Sequence, residues 1–354
     1  MPFPMIDLLQ YWAAAQLFVA GANPYDVQAL LTIQQTVDPT LQAPIIMWNP
    51  PLIFAFIWPL GFLDFDTARV AWMIISVCAI ASSGVFLRRV LEARLQRYLY
   101  MTELLFVLCI FLLFYPHALA LWYGQMAPLL GLAVAGALWL AYRKNAWCLA
   151  GMVFSITCIK PHLLFLFYLL VAWRGLAYAG VWRRFLIGLL IGCSIFALPG
   201  LFTGWQQYFS HAYTPPYYWQ TPTLGSWLQL ILTPSQNDTR TFVRFFPSLI
   251  AVGVLAIFEY RNRVFSEESD GGFWQTYMRI APLSLLCAPY GWVYDYVLIL
   301  PVALWLAVPA RRLSVLLLFC ATLFALIPGN IGQQYLIGYP FLIWLAVEAR
   351  LRHY

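Results

Sequence analysis

The chain has 354 residues, of which 63% are hydrophobic and only 10% charged, with a mean hydropathy of +0.75. A soluble domain carries ~25% charged and ~45–50% apolar residues, and one soluble core cannot absorb such an excess, so secreted, disordered and ordinary cytosolic proteins are excluded. The net charge of +6 makes no contiguous basic patch, so no nucleic acid is expected as a partner and the lipid bilayer is.

Taken in chain order, residues 5–20 read as a helix stopped by Gly21, with Asp7, Gln10, Tyr11 and Ala14 on one face and Leu8, Leu9, Trp12 and Phe18 over the remainder. This pattern suits a helix lying at the membrane surface. Asn23-Pro24 makes a turn, and a short helix over about 25–36 follows, with Asp26 near its N-terminus where a carboxylate suits the dipole. The stretch 49–62 is apolar but interrupted by Pro50, Pro51 and Pro59, which makes a poor span. It reads as a re-entrant or surface piece, allowed where protein or water satisfies its backbone. Residues 1–66 are therefore expected to form an outer-face juxtamembrane segment ahead of the main bundle.

From 67 to 354 the apolar runs predict an all-α transmembrane bundle of eleven spans. They fall at about 67–87, 102–122, 126–142, 147–160, 162–173, 185–203, 245–260, 277–289, 295–308, 313–328 and 335–348. Several are shorter than ~17 residues and should extend into flanking polar residues or sit as bent pairs, foremost within 147–173 and 277–308. The seven cysteines all lie in apolar runs without a C-x-x-C, so neither a zinc site nor a disulfide framework is indicated.

Charge sets the expected orientation. Sixteen basic residues, among them Arg88, Arg89, Arg94, Arg97, Arg174, Arg183 and Arg184, gather with seven acids at the ends assigned to the cytoplasm. Four basic residues (Arg69, Lys160, Arg240 and Arg244) and seven aspartates are left for the other face. The C-terminus is then cytoplasmic and the N-terminus outside. Met1–Gln10 lacks the positive start of a signal peptide. A further span ahead of Met1, present in relatives, is the expectation that follows.

Polar groups at membrane depth mark the candidate site. Lys160-Pro161-His162 interrupts two apolar runs, and a buried cation needs a partner. It reads either as a cation aimed at an anionic headgroup or as a lysine snorkelling to the interface. His117, near Tyr123-Gly124-Gln125, reads as a hydrogen-bonded core histidine or a cavity group. Asp295, in Trp292-Val293-Tyr294-Asp295, calls for an ionic partner or a cavity role. The 204–244 loop carries Trp205, Tyr208, His211, Tyr213, Tyr217, Tyr218 and Trp219, then Arg240 and Arg244. Its rings suit sugar stacking or an interfacial aromatic belt equally. The arginines suit phosphate or simple anchoring.

Asp7-x-x-x-Tyr11-x-x-Ala14, Gly21-x-Asn23-Pro24-Tyr25 and Asn49-Pro50-Pro51-Leu52 with Pro59-Leu60 resemble the start of the GT-C membrane glycosyltransferases. The closest similarity is to the polyprenol-phosphate-mannose-dependent family GT87 (DUF2029). Gly124-Gln125, Ala150-Gly151 ahead of Lys160-Pro161, and Pro289-x-x-Trp292 resemble its later blocks. The resemblance runs from about residue 7 to 300. It implies an inverting enzyme of a bacterial inner membrane, working on the extracytoplasmic face. The implied donor is a sugar, mannose-like or another hexose or pentose, on a polyprenyl phosphate; the implied acceptor is a glycolipid or glycan.

The family's catalytic aspartate then corresponds to Asp7, with Asp26 as the fallback. Lys160, His162, Arg69 and Arg244 are the candidate donor-phosphate ligands. Tyr11, Gln125, His117, Trp292 and Asp295 are the candidate cavity residues. No cofactor is required. Seven outer aspartates leave room for a divalent metal, but no ligand spacing demands one. The chain departs from the family at Ala288 and at Tyr294-Asp295, where serine and a His-His pair are common. A lipid-linked sugar transporter or flippase, and an O-antigen polymerase or ligase, are the rival readings. The first would move its substrate unchanged, and the second would use a lipid diphosphate-linked oligosaccharide.

Overall fold

The computed structural model describes residues 5–101, 103–105, 107–108, 114–200, 204–210, 221–232, 242–261, 270–308 and 337–351. All regular elements among them are helical. In chain order they are α1 (Ile6–Val19), α2 (Val27–Gln34), a broken helical run over Pro51–Phe62, α3 (Phe65–Leu95), α4 (Tyr115–Tyr123), α5 (Ala127–Lys144), α6 (Trp147–Phe154), α7 (Phe165–Ala177) and α8 (Val181–Ala197). Then come α9 (Trp205–Ser210), α10 (Leu224–Leu232), α11 (Phe242–Arg261), α12 (Asp270–Cys287), a tight turn Val293–Ile299 leading into α13 (Leu300–Ala307), and α14 (Gly338–Leu351).

Among the described residues, three helices are long and apolar enough to cross a membrane: Phe65–Leu95, Val181–Gly200 and Phe242–Arg261. α3 begins where Asp64 caps it, accepting from the Thr67 amide at 2.9 Å. Its 31 residues extend the 67–87 expectation at both ends and reach about 46 Å, beyond a ~30 Å hydrocarbon core. A stripe of Ala68, Trp72, Ser76, Ala79, Ser83 and Leu87 at three- and four-residue spacing is buried, and α5 packs against this helix. Val70, Ile74, Ile75, Val77 and Val85 point outward. Small residues inward and branched apolar residues outward are what a lipid-facing helix requires, since water no longer drives the packing. α11 has the same character, with Leu249, Ile250, Val254, Ile257 and Phe258 exposed.

The other apolar runs are shorter or broken. The 147–173 stretch is a bent pair, with α6 tightening through Ser155–Ile159 before the Pro161–Leu163 turn leads into α7. Residues 277–308 bend likewise at Val293–Ile299. The expected 102–122 span is interrupted at Phe114, which is extended, and α4 starts beyond it with Pro116 in its first turn. The 313–328 span lies outside the described residues. So do Cys109, Cys320 and much of the 204–244 loop, including His211, Tyr213, Tyr217, Tyr218, Trp219 and Arg240.

The apolar sides of α1 do not face outward as a helix laid on a membrane surface would require. α1 is enclosed by protein over Leu8 to Ala15, against α2 and the Pro51–Phe62 run. A Cβ on Gly61 would stand 2.5 Å from the Ala15 carbonyl oxygen, which shows how closely that run lies on α1. The hydrophobic ring around α1 therefore meets protein rather than lipid.

α6 and α8 are the closest pair. A Cβ on Gly188 would lie 1.8 Å from the Cys148 carbonyl oxygen, and one on Gly151 would lie 2.0 Å from that of Phe185. Both sites demand glycine because backbone, not a movable side chain, occupies the space. The same approach brings Cys193 to within 3.5 Å of Cys158, sulfur to sulfur. On the opposite edge Arg174 of α7 grips Glu259 of α11 with two bonds of 2.9 and 2.6 Å and reaches Thr276 of α12 at 3.0 Å.

This packing predicts a selective cross-link. Mild oxidation of membranes with copper-phenanthroline should join Cys158 to Cys193, leaving Cys78 and Cys148 alkylatable. Peptide mass spectrometry after trapping free thiols reads the outcome. Full alkylation of both Cys158 and Cys193 would contradict the α6–α8 register.

Candidate functional site

The break after α6 creates the site. Pro161 has no backbone N–H and the chain turns there; Leu163 N donates to Lys160 O at 3.2 Å, which leaves the Ile159 carbonyl without its helical partner. Asn49 supplies one, donating from Nδ2 to Ile159 O at 3.3 Å. The Asn49 carbonyl in turn accepts from the Tyr25 hydroxyl at 2.8 Å. The Asn49-Pro50-Pro51 segment is thereby tied to the turn that carries Lys160.

A second turn brings Gln125 to the same place. Gly124 has φ +70° and follows α4. Its Cβ would sit 2.7 Å from Leu8 Cβ, so a side chain there would push α1 away. The Gly124 carbonyl accepts from the Trp72 indole at 2.9 Å, and the Gln125 amide returns to Ala120 O at 2.8 Å. Gln125 thus projects between α1 and the Lys160 turn from a fixed backbone.

Five side chains are linked there. Gln125 Nε2 donates to Asp7 Oδ2 at 2.6 Å. Gln125 Oε1 accepts from the Tyr11 hydroxyl at 3.1 Å and from Lys160 Nζ at 3.0 Å. Lys160 Nζ also donates to Asp295 Oδ1 at 2.8 Å, while Asp295 Oδ2 accepts from the Trp292 amide at 3.0 Å. The ammonium lies 4.8 Å from the centre of the Tyr294 ring. Asp295 is 1% exposed and Lys160 8%, so this is a buried ion pair with both carboxylate oxygens in use.

These groups line a cavity of about 770 Å³. Asp7, Tyr11, Gln125, Lys160, His162, Trp292 and Asp295, seven of the eleven residues singled out from the sequence, are on its wall. The other four are elsewhere. Asp26 is exposed and caps α2, accepting from the Gln28 and Ala29 amides at 2.9 Å. Arg69 pairs with Asp66, one turn earlier on α3, at 2.9 Å. Arg244 is buried with Gln229 as a partner, although its neighbour Phe245 reaches the cavity. His117 is buried beside Phe114, as a core histidine. Asn49, Gln10 and Tyr290 line the wall without having been assigned to a site, and Tyr208, one of the loop rings suited to sugar stacking or an aromatic belt, lines it too. The Asn49-Pro50-Pro51 motif was the available signal for the first, and the shared face with Asp7 for the second.

Burial raises the Asp7 carboxyl above its ordinary range; the Gln125 hydrogen bond and the Lys160 charge pull it back, and Asp295 adds to the rise. Asp7 Oδ1 has no hydrogen bond among the described residues, so this carboxylate keeps one oxygen for a ligand. The His162 ring lies 4.0 Å from that of Tyr290. No group of three or more His, Cys, Asp or Glu is placed to hold a metal ion among the described residues.

Residues 48–328 match the family model of glycosyltransferase family 87. The chain belongs to glycosyltransferase family 87. No curated protein and no solved structure matches it. The matched region contributes Gln125, Lys160, His162, Trp292 and Asp295 to the cavity, while Asp7, Gln10 and Tyr11 reach it from α1, ahead of the match. The family and the apolar helices make this chain a membrane glycosyltransferase.

The buried pair sets a stability test. Lys160→Met leaves Asp295 enclosed and uncompensated, which should cost about 3–5 kcal/mol and lower the unfolding temperature in detergent. The double variant Lys160→Met/Asp295→Leu should regain most of that loss, because it removes both charges. A double variant no more stable than the single would contradict the pairing.

Proposed function

We propose that this glycosyltransferase moves a sugar from a polyprenyl phosphate to a hydroxyl of a glycolipid or glycan at the Asp7–Lys160 cavity, on the extracytoplasmic face of a bacterial inner membrane. The observation that carries this reading is that Asp7 and Lys160 share one wall of the cavity with a single amide, Gln125, between them. An acid that can take a proton and a cation that can meet a phosphate are the two groups the reaction needs.

In this reading the acceptor hydroxyl donates to Asp7 Oδ1 and loses its proton there as its oxygen attacks the anomeric carbon. The bond from that carbon to the phosphate oxygen breaks, and the polyprenyl phosphate leaves with the bonding electrons. One displacement inverts the anomeric centre. Lys160 has three N–H donors, of which Gln125 and Asp295 take two. The third is available to a phosphate oxygen as charge builds on the leaving group. Asp295 is unsuited to be the base because both its oxygens are occupied, and Asp26 because it is spent as a helix cap outside the cavity. Tyr290 and Trp292 offer rings to a sugar face.

Asp7→Asn is expected to abolish transfer from polyprenyl-phosphate mannose in proteoliposomes, read as loss of radiolabelled glycolipid product. Lys160→Ala should raise KM for the donor more than for the acceptor. Retained turnover in Asp7→Asn would refute the base, and uptake of unaltered lipid-linked sugar without product would refute the enzyme reading of this cavity.

The sign of the pH dependence follows from burial. Asp7 must be ionised to accept a proton, so the rate rises with pH through a pKa above the ordinary carboxylate range. Gln125 provides the largest pull toward the ionised form. Gln125→Leu should therefore move the acid limb of the rate profile to higher pH. The same raised pKa means that ionising Asp7 destabilises the fold: stability falls as pH climbs from the unfolded carboxylate value to the folded one and is flat above it. Asp7→Asn should then unfold no earlier than wild type at neutral pH, which separates lost chemistry from lost structure.

A further inference from the structure

Gln10 stands one helical turn after Asp7 on α1, and both line the cavity. It is 5% exposed. Its amide oxygen is buried and has no hydrogen-bond partner among the described residues. Its neighbours on the same face, Asp7 and Tyr11, each have a hydrogen bond to Gln125. Among the described residues, Gln10 is the one residue of this cavity wall with a buried, unpartnered side-chain polar atom.

An unmade hydrogen bond in a buried place is a standing cost, and a methionine of similar length would fill the space without it. The polar atom is accounted for if its partner arrives with the substrate. A carbonyl oxygen accepts hydrogen bonds, which suits a sugar hydroxyl and neither a phosphate oxygen nor an isoprenoid tail. Side chains three apart on a helix stand ~5–6 Å apart at Cβ, close enough for two of them to hold neighbouring groups on one ring.

We infer that Gln10 is a specificity-determining residue that binds a hydroxyl of the acceptor sugar, next to the hydroxyl whose proton goes to Asp7. This rests on the proposed function and adds to it the class of acceptor: a glycoside with a second hydroxyl adjacent to the one that is glycosylated. A site built to pair with a hydroxyl rejects the analogue that lacks it, because its own polar group is then left alone.

The test compares wild type with Gln10→Met in reconstituted full-length enzyme. The donor is short-chain polyprenyl-phosphate mannose; the acceptors are an alkyl mannoside and its monodeoxy analogues. Gln10→Met should raise acceptor KM about tenfold or more with kcat and donor KM little changed. It should also erase the penalty that wild type imposes on one deoxy analogue. Without substrate, the variant should unfold at the same temperature as wild type or higher, the opposite of a merely structural role. Unchanged acceptor KM, an effect confined to the donor, undiminished deoxy discrimination, or a lower unfolding temperature would each overturn the inference.

Thermal shift with the alkyl mannoside alone reads Gln10 without turnover. A shift in wild type that Gln10→Met loses supports it; equal shifts, or none in wild type, overturn it. Failure of wild type to use the donor while that shift persists would count against the donor assignment and not against Gln10.

Discussion

A lysine ammonium enclosed by apolar helices is the constraint from which this site is built. A charge in such surroundings is expensive unless it is paired and hydrogen-bonded, and Lys160 is both. Holding it requires Asp295 from the Val293–Ile299 turn and Gln125 from the Gly124 turn. It also requires a break in the helix, so that the side chain leaves from a turn. The break frees a carbonyl, which recruits Asn49 from the N-terminal third of the chain. Four distant stretches of sequence are thus brought together by the needs of one cation and the turn that bears it.

The helices around this cluster are positioned by a different force. Where α6 meets α8, glycine at 151, 188 and 192 lets backbone touch backbone, and dispersion over that close surface replaces the hydrophobic drive available in water. The lipid-facing helices α3, α8 and α11 present branched and aromatic side chains outward. The rigid seam lies directly ahead of the Lys160 turn, since α6 runs into it through Ser155–Ile159. Close packing there fixes the height and direction from which the lysine enters the cavity.

Much of this was legible from residue types. Composition alone demanded a membrane-embedded helical bundle, and a cation beside proline between two apolar runs demanded a turn with a partner. The shared face of Asp7, Gln10 and Tyr11 was visible as a helical spacing, and all three line the cavity. The pairing of Lys160 with Asp295 was not legible, because 135 residues separate them and no local pattern encodes that distance. Arg69 and Arg244 illustrate the converse limit. A basic residue at the expected face is a phosphate ligand only if nothing nearer claims it, and Asp66 and Gln229 do. The buried position of α1 was also hidden, since a helix that is apolar on nearly every side fits protein as well as lipid.

The compensation of Lys160 bears on how the proposed reaction gains rate. A free buried ammonium would bind a phosphate ester strongly before any bond had broken, and binding substrate and transition state equally lowers KM without raising kcat. With Asp295 and Gln125 already on two of its protons, the lysine offers the donor one hydrogen bond and a partly neutralised charge. As the glycosidic bond breaks, the leaving phosphate acquires a second negative charge, and the attraction of the same N–H grows with it. Asp7 gains a proton in the same step and loses its own charge, so the repulsion it exerts across the Gln125 amide fades as the phosphate's charge increases. The coupling of those two changes through one side chain favours the transition state over the ground state, and it explains why a glutamine, with a donor toward the acid and an acceptor toward the cation, occupies position 125.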